Sequence, residues 1–148
     1  MRSEELKVEI QELLPHREPF LFVDEIIELI PREYSKVLKH VREDEFWVKG
    51  HFPEGAVFPG ALMMETMAQG GGIMLSTGGG HNKNEHNAYL SRVDNLKFIC
   101  KVIPGDTVIV EGKFVEKIAD FIKVKVKASV QGKKVAEAMI TYIVLKKI

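Results

Sequence analysis

Between Phe121 and Gln131 apolar and polar residues alternate: Ile122, Val124, Val126, Ala128 and Val130 against Lys123, Lys125, Lys127, Ser129 and Gln131. A period of two predicts a strand with one dry and one wet face. Short turn signals at Pro104-Gly105-Asp106, Ala119-Asp120 and Gly132 set it off from strands predicted over Asn87–Lys101, Thr107–Lys117 and Lys133–Lys146. Four consecutive hairpin-linked strands predict an antiparallel meander. Further upstream, Phe20–Ile30 and Tyr34–Arg42 are strand candidates as well.

Ala61–Leu75 has a different pattern. It is rich in Ala, Met and Leu and apolar nearly all round, which predicts a helix buried in a core. Met63, Met64 and Met67 read as core packing, and Gly70-Gly71-Gly72 weakens the last turns, since each Gly costs up to ~1 kcal/mol relative to Ala. A second helix is predicted to start at Ser3, carry Leu6, Ile10, Leu13 and Leu14 on one face, and stop at Pro15. The Gly/Asn/His-rich segment Gly78–Asn87 reads as a loop. No repeat or linker divides the chain, so residues 1–148 are expected to form one α+β domain with the sheet wrapped around the apolar helix.

Composition narrows the function classes. The 148 residues carry 21 Lys+Arg and 21 Asp+Glu, and that balance argues against nucleic-acid binding through phosphate neutralisation. The balance is a cancellation, however. Residues 1–80 hold 8 basic and 14 acidic side chains, and residues 81–148 hold 13 and 7, giving −6 and +6. A basic C-terminal half is either a solvated Lys-bearing sheet face or a surface that receives an acidic partner. The lone Cys100 excludes an internal disulfide framework and a Cys-rich zinc site. The N-terminus lacks the apolar core of a signal peptide, and Val57–Leu75 is too polar to span a bilayer, so a cytoplasmic protein is expected.

Candidate chemistry concentrates in Gly50-His51-Phe52-Pro53-Glu54-Gly55-Ala56-Val57-Phe58-Pro59-Gly60-Ala61-Leu62-Met63-Met64-Glu65. His51 has the side chain suited to general-base work near neutrality. Glu65 sits early on an apolar helix, where burial would keep a carboxyl protonated and able to donate a proton or orient a water. The amides of Gly60 and Ala61 would point out of the helix N-terminus toward an oxygen that gains negative charge. Base, acid and oxyanion donor together suit an elimination next to a carbonyl. A structural His and a helix-capping Glu remain the plainer alternative.

The string GHFPEGAVFPGALMMETMAQ resembles the signature of the β-hydroxyacyl-acyl carrier protein dehydratases of the FabZ type. LLPHREPFLFVDEI, AYLSRVDNLKFICKVIPGD and VQGKKVAEAMI resemble other segments of that family in the same order, from about Leu13 to Tyr142. The resemblance implies a hot-dog fold, active sites at a homodimer interface, and often a hexamer built as a trimer of dimers. It implies removal of water from a (3R)-3-hydroxyacyl thioester on acyl carrier protein to give the trans-2-enoyl thioester, with no metal or redox cofactor. By position it makes His51 and Glu65 catalytic and Gly60 the holder of the thioester carbonyl. Phe52 and Pro59 then shape the loop, Tyr89 and Phe98 are tunnel or gate candidates that core packing explains equally well, and Lys97 and Lys101 are candidate contacts for the acidic carrier protein.

Ala56 stands where the family commonly has Pro, and Phe58 where it commonly has Met. The sister dehydratase/isomerases resemble the same motif with Asp at the helix carboxylate, so Glu65 favours dehydration without isomerisation. A non-catalytic carrier-protein-binding module of the same fold is the alternative from another class. The glycine runs lack the context of a phosphate loop, and no Cys or nearby Asp accompanies His81 and His86 to make a zinc site.

Overall fold

The computed structural model describes residues 10–76 and 86–146. Six strands appear among them: β1 (Glu25–Ile30), β2 (Tyr34–His40), β3 (His86–Phe98), β4 (Thr107–Ile118), β5 (Phe121–Val130) and β6 (Lys133–Lys146). All neighbours are antiparallel, in the order β1-β2-β4-β5-β6-β3. Helix α1 (Gly60–Gly72) runs into a 3-10 turn, Ile73–Ser76, and packs on β2, β4, β5 and β6. This is the hot-dog arrangement of an antiparallel sheet around one central helix. No helix among the described residues is long and apolar enough to cross a membrane.

The alternation in β5 has the expected consequence. Ile122, Val124, Val126 and Ala128 are fully buried beneath the helix, while Lys123, Lys125 and Lys127 face outward. Gln131 and Gly132 both take positive φ, 50° and 78°, between the paired residues Val130 and Lys133. A two-residue hairpin with both central residues left-handed matches the twist of its strands, and Gly132 holds that conformation without Cβ cost. Met67 on the helix and Ile73 and Met74 in the 3-10 turn are fully buried, each such side chain contributing about 1.5–3 kcal/mol.

Three expectations need correction. The four C-terminal strands are not a simple meander: β4, β5 and β6 are, but β3 pairs with β6 at the sheet edge instead of with β4. The chain between β3 and β4 travels back past the helix N-terminus. Val102 there accepts the Phe58 amide at 2.7 Å, and Gly105 donates to Val41 at 2.8 Å. The strand predicted from Phe20 begins only at Glu25, because the Phe22 amide and Phe20 carbonyl bond the Gln69 side chain instead of a ladder.

The three glycines at 70–72 do not fray the helix. They are buried and helical, and they let it lie flat on the sheet. A Cβ on Gly70 would meet Val110 and Val37 at 2.8 Å, and one on Gly71 would meet Val126 at 2.6 Å. The predicted N-terminal helix is seen from Ile10, where residues 10–13 are helical; its start at Ser3 lies outside the described residues, as does most of the 78–87 loop. His86 and Asn87 already belong to β3.

Candidate active site

The loop between β2 and α1 holds His51 by five backbone bonds around it and one through its ring. The Trp47 carbonyl accepts the amides of Gly50 at 3.2 Å and His51 at 3.0 Å, and the His51 carbonyl accepts the Val57 amide at 2.8 Å. Phe52 and Gly55 exchange amide bonds at 3.2 and 3.1 Å, closing the turn beyond it. The His51 ring places Nδ1 2.8 Å from the Val57 carbonyl. A carbonyl only accepts, so Nδ1 carries the hydrogen and Nε2 of the neutral ring keeps its lone pair. Phe52, largely exposed, stacks on the ring with centroids 4.0 Å apart.

Pro59 sets the start of α1. Its φ and ψ of −61° and 138° are extended, its carbonyl accepts Leu62 and Met63, and no side chain caps the helix. No acceptor within the described residues meets the Gly60 and Ala61 amides, so the positive end of the helix dipole is open there. His51, Gly60, Met63, Phe98 and Lys101 line one cavity of about 300 Å³. A Cβ on Gly60 would stand 3.0 Å from the rim of the exposed Phe98 ring, so any larger residue there would make that ring give way by a few tenths of an ångström.

Glu65 faces elsewhere, into a cavity of about 480 Å³ between the N-terminal segment, α1 and β3, where Tyr89 and Tyr142 also contribute. Its side chain is 23% exposed. Gln69, one helical turn on, donates Nε2 to Glu65 Oε2 at 3.1 Å. The same amide donates to the Phe20 carbonyl at 2.9 Å and accepts from the Phe22 amide at 2.9 Å. Gln69 therefore has one possible orientation, and Glu65 Oε1 is the carboxylate oxygen without this donor.

His16 Nε2 lies 3.8 Å from Glu65 Oε2. Burial lowers the His16 pKa, the Glu65 charge partly opposes that, and Arg17 adds to it. The Tyr142 hydroxyl, buried against the helix, donates to the Ala68 carbonyl at 2.6 Å. Its pKa is pushed up by burial and then by the Glu65 charge.

Within one chain the two candidate catalytic side chains do not meet. Each residue turns a helix by about 100°, so Gly60 and Glu65 project about 140° apart. His51, Gly60, Phe98 and Lys101 share one cavity, whereas Glu65 and Tyr89 share the other. Lys97 is exposed on β3 opposite Glu137. The sequence reading passed over Val57, His16 and Gln69. Gln69 alone had a legible signal: a long polar residue four positions after Glu65 lies on the same helix face.

A profile of the FabA-like domain matches residues 14–139. The 3-hydroxyacyl-[acyl-carrier-protein] dehydratase FabZ of Enterococcus faecalis is 43% identical over 137 residues, 92% of this chain and 95% of the relative. The protein of the same name from Ruminiclostridium cellulolyticum is 40% identical over 138 residues, 93% and 96% of the two chains. Among solved structures, the dehydratase heterocomplex ApeI:P of Xenorhabdus doucetiae superposes with a TM-score of 0.74 at 16% identity, covering 93% of this chain and 91% of that one. Cj0977 of Campylobacter jejuni gives 0.73 at 14% identity over 99% and 93%. These last two likenesses concern the fold alone. A match spanning the helix, the His51 loop and five of the six strands places this chain in the FabA-like domain family.

Proposed function

We propose that this chain dehydrates (3R)-3-hydroxyacyl thioesters carried on acyl carrier protein to trans-2-enoyl thioesters, and that two copies complete each site. The observation that carries this reading is the His51 ring. Its Nδ1–H is committed to the Val57 carbonyl, which leaves Nε2 as a base in the same cavity as the open helix amide of Gly60. The names of relatives at about two-fifths identity over nine-tenths of the chain supply the substrate class.

In the proposed reaction, His51 Nε2 takes the C2 proton while negative charge moves onto the thioester oxygen, held by the Gly60 amide. The carbonyl then re-forms, the C2–C3 double bond closes and the C3–O bond breaks. Glu65, directly or through a water, gives the proton with which the hydroxyl leaves as water. Solvent then resets both groups.

The 140° between Gly60 and Glu65 supports a site shared by two chains, in which Glu65 of one faces His51 of the other. β3 supports it too. It is an edge strand of 13 residues with exposed Tyr89, Leu90 and Phe98, and an apolar edge of that length is suited to pairing. Lys101 at the mouth of the His51 cavity, with Lys97 nearby on β3, suits an acidic carrier protein.

The test is turnover. The folded protein, incubated with 3-hydroxyacyl thioesters of several chain lengths on acyl carrier protein, should form the enoyl product, read by ultraviolet absorbance or mass. Absence of product across all lengths would refute the reading. A cis-3-enoyl product in the same reaction would favour the dehydratase/isomerase alternative.

A further inference from the structure

Beneath the His51 loop lies an ion pair withdrawn from water. Lys39 Nζ stands 2.9 Å from Glu45 Oε1, with the two side chains 2% and 6% exposed. Taking two charges out of water costs more than their attraction returns unless other groups complete them. Here they do. Glu45 Oε2 accepts the Arg42 amide at 2.6 Å, and Oε1 also faces the Trp47 indole N–H at 3.3 Å. The ammonium sits 5.3 Å from the centroid of Phe22 and 5.7 Å from that of Phe58, within reach of both aromatic faces. Phe58 in turn meets Trp47 edge to face at 5.3 Å.

Both anchors of His51 stem from this cluster. The Trp47 carbonyl receives the His51 amide, and Trp47 binds Glu45 through its indole. The Val57 carbonyl receives the His51 ring, and the next residue, Phe58, packs over the ammonium. The loop is thus gripped on both sides of the histidine, one residue or less from each of its anchors.

We infer that Lys39 and Glu45 are positioning residues for His51: the buried pair fixes the separation of Trp47 and Phe58, and with it the direction of the His51 ring and the nitrogen that bears its hydrogen. This inference rests on the reading of His51 as the base. A pair kept only for stability would be replaceable by uncharged residues of similar shape without consequence for the ring.

The experiment compares wild type with Lys39→Met/Glu45→Gln, in which both charges go while the stems and one of the two acceptor oxygens remain. Imidazole 15N–1H correlations report the His51 tautomer, and steady-state kinetics on 3-hydroxyacyl-carrier thioester report kcat and KM. Wild type should hold the Nδ1–H form. The double variant should fold, shift His51 toward the Nε2–H form, and lose kcat by on the order of 100-fold with KM little changed, the size expected from a small misplacement of a reacting group. A folded double variant with wild-type tautomer and wild-type kcat overturns the inference. Should that variant fail to fold, Trp47→Phe, which removes the indole donor to Glu45 but keeps an aromatic ring beside Phe58, decides the matter. A shifted tautomer with lowered kcat sustains the positioning role, and an unchanged ring refutes it. His51→Ala separates the two levels: if it keeps turnover, the base assignment falls while the tautomer result still stands.

Discussion

Gly112 on β4 and Gly71 on α1 pass so closely that a Cβ on Gly112 would stand 2.9 Å from the Gly71 Cα. On the neighbouring strands of the same sheet, a Cβ on Gly71 would meet Val126, the cross-strand partner of Gly112, at 2.6 Å and the Tyr142 hydroxyl at 3.1 Å. The central helix therefore sits on the sheet at backbone distance.

Replacing a helical Gly by Ala normally gains up to ~1 kcal/mol from propensity. At Gly71 the sign should reverse. Gly71→Ala and Gly112→Ala are each expected to lower stability by about 1–3 kcal/mol through overpacking. Gly55→Ala, where nothing lies within 4 Å of the new Cβ, should be near neutral. Urea unfolding at one fixed protein concentration measures all three, and an Ala at Gly71 that stabilises would contradict the packing argument.

The proposed two-chain site makes a prediction about mixtures. His51→Ala and Glu65→Gln should each be nearly inactive alone. Unfolded together and refolded, they should recover about a quarter of wild-type turnover, because about half of random pairs are mixed and each mixed pair keeps one intact site. No recovery, with mixed pairs demonstrated by mass, would place His51 and Glu65 in the same chain's site.

The helix-in-sheet architecture was legible because its signals are local. The alternation in β5 and the all-round apolar face of α1 each report one element's surroundings. The place of β3 was not legible, because its partner is chosen by the path of Cys100–Asp106 past Phe58 and Val41, not by anything within the strand. The same distinction applies to the site. His51, Gly60 and Glu65 stand out by residue type and spacing. Gln69 apart, the groups that orient them do not: Val57 acts through its backbone carbonyl, which no side chain advertises, and Lys39 and Glu45 look like ordinary surface charges until the chain folds over them. The glycines were misread for a related reason, since propensity describes an isolated helix and close approach is a property of the assembled one.

His16 gives the fold a pH dependence whose sign follows from its surroundings. Burial holds its folded-state pKa below the ordinary 6.5, so the folded protein favours the neutral ring. The unfolded chain then binds more protons in that window, and stability falls as pH falls below about 6.5 toward the folded value. Above it the contribution is fully present. His16→Gln should remove this component, so its melting temperature should fall less between pH 7 and pH 5 than that of wild type. Parallel profiles for the two proteins would mean that His16 is not the group responsible.

Gln69 offers the sharpest separation of stability from catalysis. Its amide completes two backbone groups of the segment before β1, the Phe20 carbonyl and the Phe22 amide, and spends its remaining N–H on Glu65 Oε2. Gln69→Leu preserves volume but strips all three bonds, and each buried backbone group left unpaired costs about 1–3 kcal/mol. Gln69→Glu keeps an oxygen for the Phe22 amide but, when ionised, sets a second carboxylate against Glu65 Oε2. Both variants should lose stability, yet the Glu variant should also make turnover depend on pH in a way the Leu variant does not, because only there do two carboxyls share one proton over part of the range. Profiles of kcat against pH for the two variants, measured where each remains folded, check this. If they have the same shape, Gln69 serves only to pin the segment carrying Phe20 and Phe22, and Glu65 takes its orientation from elsewhere.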